Sequence, residues 1–172
     1  MIRALLIACI LLLSACASRQ APLPDAMPRL QLPMQLHVQR QQGEQRQDWL
    51  LVIQQESTGL RWSLMDPLGI PLARQLLING QWQADGLLPP NAEARELFAA
   101  LLFALTPDTQ LRDAYPTARR QGLRRSLGDR WGVEYRTADV FTLGLRAEPG
   151  TDTRPEDTLT FRISPLNNES AP

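Results

Sequence analysis

Two hydrophobic periods run along the chain, and the switch between them divides it. Period two dominates the first part. Trp49, Leu51 and Ile53 alternate with Leu50, Val52 and Gln54, and Leu60, Trp62 and Leu64 alternate with Arg61, Ser63 and Met65. Such alternation marks half-buried strands with one face toward a core. Met34 to Gln42 supplies a first strand, and Ser57-Thr58-Gly59 and Asp66-Pro67-Leu68-Gly69 supply turns. Asn79-Gly80, between Ile70 to Ile78 and Gln81 to Ala84, is the strongest short hairpin signal.

The period then lengthens. After Pro89-Pro90, Asn91 is placed to cap a helix in which Ala94, Leu97, Phe98, Leu101, Leu102 and Leu105 share one face. Glu93 and Glu96 suit its positive end. Thr106-Pro107-Asp108 reads as a second helix start, with Thr as cap, and Tyr115-Pro116 as its end. Period two resumes at Trp131, Val133 and Tyr135, at Phe141, Leu143 and Leu145, and at Leu159, Phe161 and Ile163, with a polar loop over Glu148 to Asp157. The order predicts an α+β fold: a curved antiparallel sheet of about eight or more strands, its apolar face covered by the helices between the strand groups. An interior left unfilled would form an apolar pocket. Trp49, Leu51, Ile53, Trp62, Leu64, Leu97, Phe98, Leu101, Phe141, Leu143 and Phe161 are its expected lining.

Two ends flank this expected domain of residues 34–166. Residues 1–15 carry Arg3, an apolar run from Ala4 to Leu13, and then small residues, the layout of a secretory signal peptide. About ten apolar residues fall well short of the ~20 that span a membrane. Leu13-Ser14-Ala15-Cys16 matches the lipobox of bacterial lipoproteins, in which the Cys thiol is acylated and becomes the first mature residue. The other reading is an ordinary cleaved signal with a Cys nearby by chance. Two or more acyl chains of the palmitate kind anchor stably where one holds only marginally. Ala17 stands where inner-membrane lipoproteins typically carry Asp, so the expectation is an outer-membrane, periplasm-facing protein. Residues 16–33 hold Pro22, Pro24, Pro28 and Pro33 and read as a tether. Residues 167–172 form a polar tail.

Composition narrows the chemistry. The chain has 172 residues and no Lys, so its 18 basic residues are all Arg, against 18 acids. That balance disfavours nucleic acid as a partner. One His and two Cys leave little for metal clusters, and the Asp and Glu residues show no metal-type spacing. No cofactor loop appears. There is no Gly-x-Ser-x-Gly elbow to accompany His37, so no catalytic residue is expected and the protein is read as a non-enzyme. Arg119, Arg120, Arg124, Arg125 and Arg130 form the charge cluster, offset by Asp129. The first four are candidates for contacting anionic headgroups or an acidic partner, through the bidentate fork of guanidinium. A solvated hairpin face is the alternative.

The strand ending in Asp66-Pro67-Leu68-Gly69, the hairpin, and the helix leading to Thr106-Pro107-Asp108-Thr109-Gln110-Leu111-Arg112 resemble the outer-membrane lipoprotein receptor LolB and its periplasmic carrier LolA. They are more similar still to a family of uncharacterised proteobacterial lipoproteins of the aryl-polyene-cluster type. The resemblance covers roughly Met34 to Ile163 in element order. It implies a half-open barrel with a helical lid over a cavity for acyl chains, and a protruding membrane-insertion residue, here Leu68. It also implies lipid or lipoprotein cargo and a periplasmic carrier partner. Asp66 and the Ile70-Pro71 that follows Gly69 depart from the receptor pattern, and the alternative reading of Leu68 is a turn residue packing on its own hairpin. The expected function is non-enzymatic binding or transfer of a lipid or lipidated molecule. The alternative is an assembly lipoprotein that scaffolds an envelope protein partner.

Overall fold

The structure, a computed structural model, describes residues 20–86, 88–89, 91–146 and 159–166. The signal segment, Cys16, the loop from Glu148 to Asp157 and the polar tail lie outside the described residues.

Ten antiparallel strands form one open, curled sheet. They are β1 (Met34–Gln42), β2 (Gln45–Gln55), β3 (Leu60–Met65), β4 (Pro71–Ile78), β5 (Gln81–Ala84), β6 (Ala118–Gln121), β7 (Arg124–Leu127), β8 (Trp131–Tyr135), β9 (Phe141–Leu145) and β10 (Leu159–Pro165). The spatial order β5-β4-β3-β2-β1-β10-β9-β8-β7-β6 consists of two five-stranded meanders. One runs from the centre to one edge, and the other returns from the opposite edge to the centre, where β1 pairs with β10. The connection from β5 to β6 must therefore cross from edge to edge, and it does so as α1 (Ala92–Leu105). A 3-10 turn at Asp108–Gln110 and the short α2 (Leu111–Ala114) follow.

The curved antiparallel sheet expected from the alternation is present as an open, curled sheet of ten strands. The two beyond the eight are β6 and β7, whose Arg-rich sequences hide their period. Pro71 opens β4, where its missing N–H costs no ladder bond, and it pairs with Met65 next to a register shift. Asn79 and Gly80 adopt φ of 49° and 73°, the left-handed pair of a tight hairpin turn, between β4 and β5.

The inner face collects alternate residues of every long strand: Leu36 and Val38, Leu51 and Ile53, Trp62 and Leu64, Val133, Leu143, Phe161 and Ile163 are all at most 3% exposed. Against them lies α1. Asn91 caps it as expected, its side-chain Oδ1 accepting from the Ala94 N–H at 3.0 Å. Its burial is not confined to one face, however: Leu97 through Ala104 are buried without interruption. The sequence Leu97-Phe-Ala-Ala-Leu-Leu-Phe-Ala104 is apolar all round, which suits a helix enclosed by its own sheet rather than laid on it. Thr106 does not start the next helix. It ends α1, its hydroxyl donating to the Leu102 carbonyl at 2.7 Å, and the 3-10 turn begins at Asp108 without a side-chain cap.

The Pro-rich stretch also differs from a free tether from Gln20 onward. Pro24 and Pro28 are buried, and Leu23, Leu30 and Leu32 pack on the core. The Asp25 N–H donates to Ala114 O at 2.8 Å, the Arg29 N–H to Gln110 Oε1 at 2.8 Å, and Arg130 Nη1 to Gln20 O at 3.3 Å. Proline excludes helix and ladder, as expected, yet an extended strap with apolar side chains still gains by lying on an apolar core.

Candidate functional site

The residue that organises the most distinctive region is Arg125. It stands on β7, joined to β6 by a turn in which Gly122 takes φ 58°. Strand alternation sends Arg125 inward between the outward Arg124 and Ser126. It is 5% exposed, and its charge is met from several sides. Nη1 donates to the carbonyls of Phe103 (2.8 Å), Ala104 (3.3 Å) and Thr106 (2.9 Å), and Nη2 to Asp108 Oδ1 (2.7 Å). The guanidinium also lies 5.7 Å from the Phe103 ring centre and 5.3 Å from that of Tyr135. The Tyr135 hydroxyl donates to Ala104 O at 2.6 Å. Together these donors satisfy carbonyls that the last turn of α1 would otherwise leave unpaired and put a cation at the negative end of its dipole. Burial pushes the Tyr135 hydroxyl up to about 12, against the opposing pull of Arg125. Burial likewise raises that of Tyr115, which stacks edge-on against Phe103 at 5.0 Å.

Beside this cap is a cavity of about 560 Å³. Leu30, Met34, Leu105, Pro107 and Leu123 give it apolar walls, and Arg29, Arg120 and Arg125 line it with Asp108 and Asp139. Asp108 bridges two of the arginines, with Oδ2 2.8 Å from Arg120 Nη1 and Oδ1 2.7 Å from Arg125 Nη2.

The four arginines read from sequence as one anionic contact are thus divided between two faces. Arg120 pairs in register with Arg125 on the inner side. Arg119 and Arg124 fall on the outer side, where they border a trough of about 480 Å³. Consecutive residues of a strand point to opposite faces, so a linear cluster cannot remain one patch. Arg130 holds Glu96 of α1, with Nε and Nη2 each 2.6 Å from a carboxylate oxygen, and Trp131 Nε1 donates to the same carboxylate at 2.6 Å. At the start of α1, Arg40 Nε donates to Glu93 Oε1 at 2.6 Å.

The expected cavity lining is brought together, but as packed interior. Leu51, Ile53, Trp62, Leu64, Leu97, Phe98, Leu101, Phe141, Leu143 and Phe161 are each at most 1% exposed and pack against one another and α1. Phe98 sits 5.6 Å from Trp62 and 5.9 Å from Trp82. The physical reason is α1 itself, which occupies the concave side. Trp49 alone of the eleven is half-buried; it stacks on Phe161 at 6.2 Å and, with Leu64, borders a cavity of about 320 Å³ near the start of α1.

Leu68 does not pack on its own hairpin. It is 85% exposed and Ile70 is 56% exposed. The turn beneath is fixed by Asp66, whose Oδ1 accepts from the N–H groups of Leu68 (2.9 Å) and Ile70 (2.8 Å), with Gly69 at φ 81°. His37 lies on the outer face of β1, its Nε2 2.8 Å from Asp48 Oδ1. The Gln39 amide, donating to the same oxygen, is the leading cause that holds the Asp48 carboxyl below its usual range. Among the described residues no group of three His, Cys, Asp or Glu is placed to hold a metal ion, and no helix is long and apolar enough to cross a membrane.

No protein-family model matches the chain, and no curated protein is similar to it. The residues that sequence reading missed are Asp108, Tyr135 and Arg29. The only signal for them was the inward parity of Tyr135, two residues after Val133. Asp108 and Arg29 reach the site through turns whose direction no periodicity encodes.

Proposed function

We propose that this protein is a non-enzymatic outer-membrane lipoprotein, anchored through acylated Cys16 and facing the periplasm, that binds or passes on a lipid or lipidated molecule in the manner of LolB. The observation that carries the reading is the stretch of α1 from Leu97 to Ala104, apolar all round and buried on the inner face of the curled sheet. In this reading α1 is the lid, seen closed, and an acyl chain takes its place when it lifts. Burial gives about 0.8 kcal/mol per methylene, so a long chain offers on the order of 10 kcal/mol. Against this stand the polar ties at the two ends of α1, made by Arg40, Arg130 and Arg125, each worth about 1.5–3 kcal/mol as hydrogen bonds to charged groups. Lifting α1 also exposes Leu97 to Ala104, so the acyl chain must cover the apolar surface they leave as well as offset the ties.

Exposed Leu68 and Ile70 provide the apolar contact through which cargo enters the membrane. Successive hairpins alternate between the two ends of an antiparallel sheet, so the β3–β4 turn that carries Leu68 lies at the same end as the β7–β8 turn. Gln20 is bonded there, to Arg130. Gln20 is four positions along the chain from Cys16, a reach of at most about 14 Å. The anchor and the Leu68 turn therefore face one membrane.

The test is to purify the full chain from membranes in gentle detergent and identify co-extracted lipid by mass spectrometry. A stoichiometric acylated species is expected. Protein free of lipid, and unchanged in melting temperature when acyl lipid is added, would overturn the reading. One observation favours the alternative of a scaffold for an envelope protein. Gly132 and Gly144 face each other on the outer face, bare of side chains, beside Arg119 and Arg124. Crosslinking in the envelope separates the two, since a scaffold traps one protein in fixed ratio.

A further inference from the structure

We infer that the cavity at the C-terminal end of α1 binds an anionic amphiphile, a carboxylate or phosphate head joined to an apolar tail. The inference deepens the lipid-binding reading and rests on it for the tail, but it concerns a different space from the one α1 fills. The β6–β7 and β8–β9 turns border this cavity, which places it at the end of the sheet opposite Leu68 and Gln20. A volume of about 560 Å³ falls within the roughly 300–1,000 Å³ typical of small-molecule sites.

Charge selects the head. Three guanidinium groups line the cavity against two carboxylates. The negative end of α1, which would repel an anion, is already met by Arg125 Nη1 and the Tyr135 hydroxyl. Asp108 displays the mode of recognition, one carboxylate bridging Arg120 and Arg125. Among the described residues, Arg29 offers free donors to a second anion, and Arg125 is itself incompletely satisfied. Arg125 Nε is buried without a hydrogen-bond partner, an expensive state for a charged group in a residue 5% exposed. Arg29, on the cavity wall, has no acidic partner among the described residues. A planar or tetrahedral oxyanion suits guanidinium donors, whereas a quaternary ammonium head would meet three like charges.

Apolarity selects the tail. Leu123 is 63% exposed at the cavity, a large side chain that water solvates poorly, with Leu30, Met34 and Leu105 behind it. A free inorganic anion would leave that surface wet, and a neutral lipid would leave the arginines unused.

The test is calorimetric titration of the full chain, held in phosphatidylcholine nanodiscs, with octyl phosphate, octyl glucoside, octyltrimethylammonium and inorganic phosphate, with empty nanodiscs as the blank. Octyl phosphate is expected to bind at least tenfold tighter than each of the other three. Replacing Arg29→Gln and Arg120→Gln together should weaken octyl phosphate about tenfold without changing the melting temperature, because both residues are exposed. Leu123→Ser should weaken it by a similar factor. Equal binding of octyl glucoside would overturn the anionic head while leaving the lipid-binding reading intact. Inorganic phosphate binding as tightly as octyl phosphate would overturn the amphiphile in favour of a simple anion site. No binding of any probe, or no effect of the double substitution, would overturn the inference.

Discussion

At the scale of single residues, Arg125 ties the end of α1 to the β6–β7 hairpin through four hydrogen bonds. Removing a partner from a buried charge network strands the others: with Arg125→Met, three carbonyls lose their Nη1 donor and Asp108 loses one of its two arginines. The expected loss is about 3–5 kcal/mol in urea unfolding. A loss below 1 kcal/mol would show that water replaces the guanidinium. Tyr135→Phe removes one hydrogen bond to Ala104 and should cost about 1 kcal/mol at neutral pH. Its pH dependence runs the other way. The folded state holds the Tyr135 proton up to about pH 12, whereas an unfolded tyrosine releases it near 10. The folded state therefore binds more protons in that window, and the stability this hydroxyl contributes is complete below pH 10 and falls as pH rises toward 12. Unfolding free energies measured from pH 9 to 12 should decline less steeply for Tyr135→Phe than for the parent.

At the scale of elements, α1 decides how the interior is used. Leu101→Ala removes a fully buried side chain from the middle of the helix, and an enclosed site collapses poorly around the gap. The expected cost is about 2–5 kcal/mol by denaturant titration. A cost under 1 kcal/mol would mean that α1 spends much of its time outside the sheet. The helix was legible before the fold was known, from Asn91, from Glu93 and from the run ending at Leu105. Its enclosure was not singled out. The spacing predicts a one-sided stripe, whereas Ala99, Ala100, Phe103 and Ala104 complete an apolar circumference over the last turns. The β6–β7 hairpin was less legible still, because Arg at inward and outward positions alike erases the alternation that marks a strand.

At the scale of the whole molecule, the Leu68 turn and Gln20, where the strap begins, stand at one end of the sheet and the arginine-lined cavity at the other. Leu68→Glu changes an exposed residue on a turn fixed by Asp66, so stability should move by no more than about 0.5 kcal/mol. Flotation with anionic and neutral vesicles, using a Cys16→Ser chain to remove the anchor, should show membrane association reduced several-fold by the Glu. Unchanged flotation would separate Leu68 from any membrane role.

The sequence by itself determined the strand periods, the Asn79-Gly80 hairpin, the capped start of α1 and the one-sided apolar face of the sheet. Each is written in spacings of a few residues, where backbone geometry links sequence directly to direction. Only the tertiary structure decided that α1 fills the concave side, that the proline strap lies on the core, and that the arginine cluster splits into an inner cap and an outer trough. Those outcomes depend on the ordering of two meanders across an open sheet. The crossing from β5 to β6 carries α1 over the inner face, and strand alternation then sorts neighbouring arginines to opposite sides of the same wall.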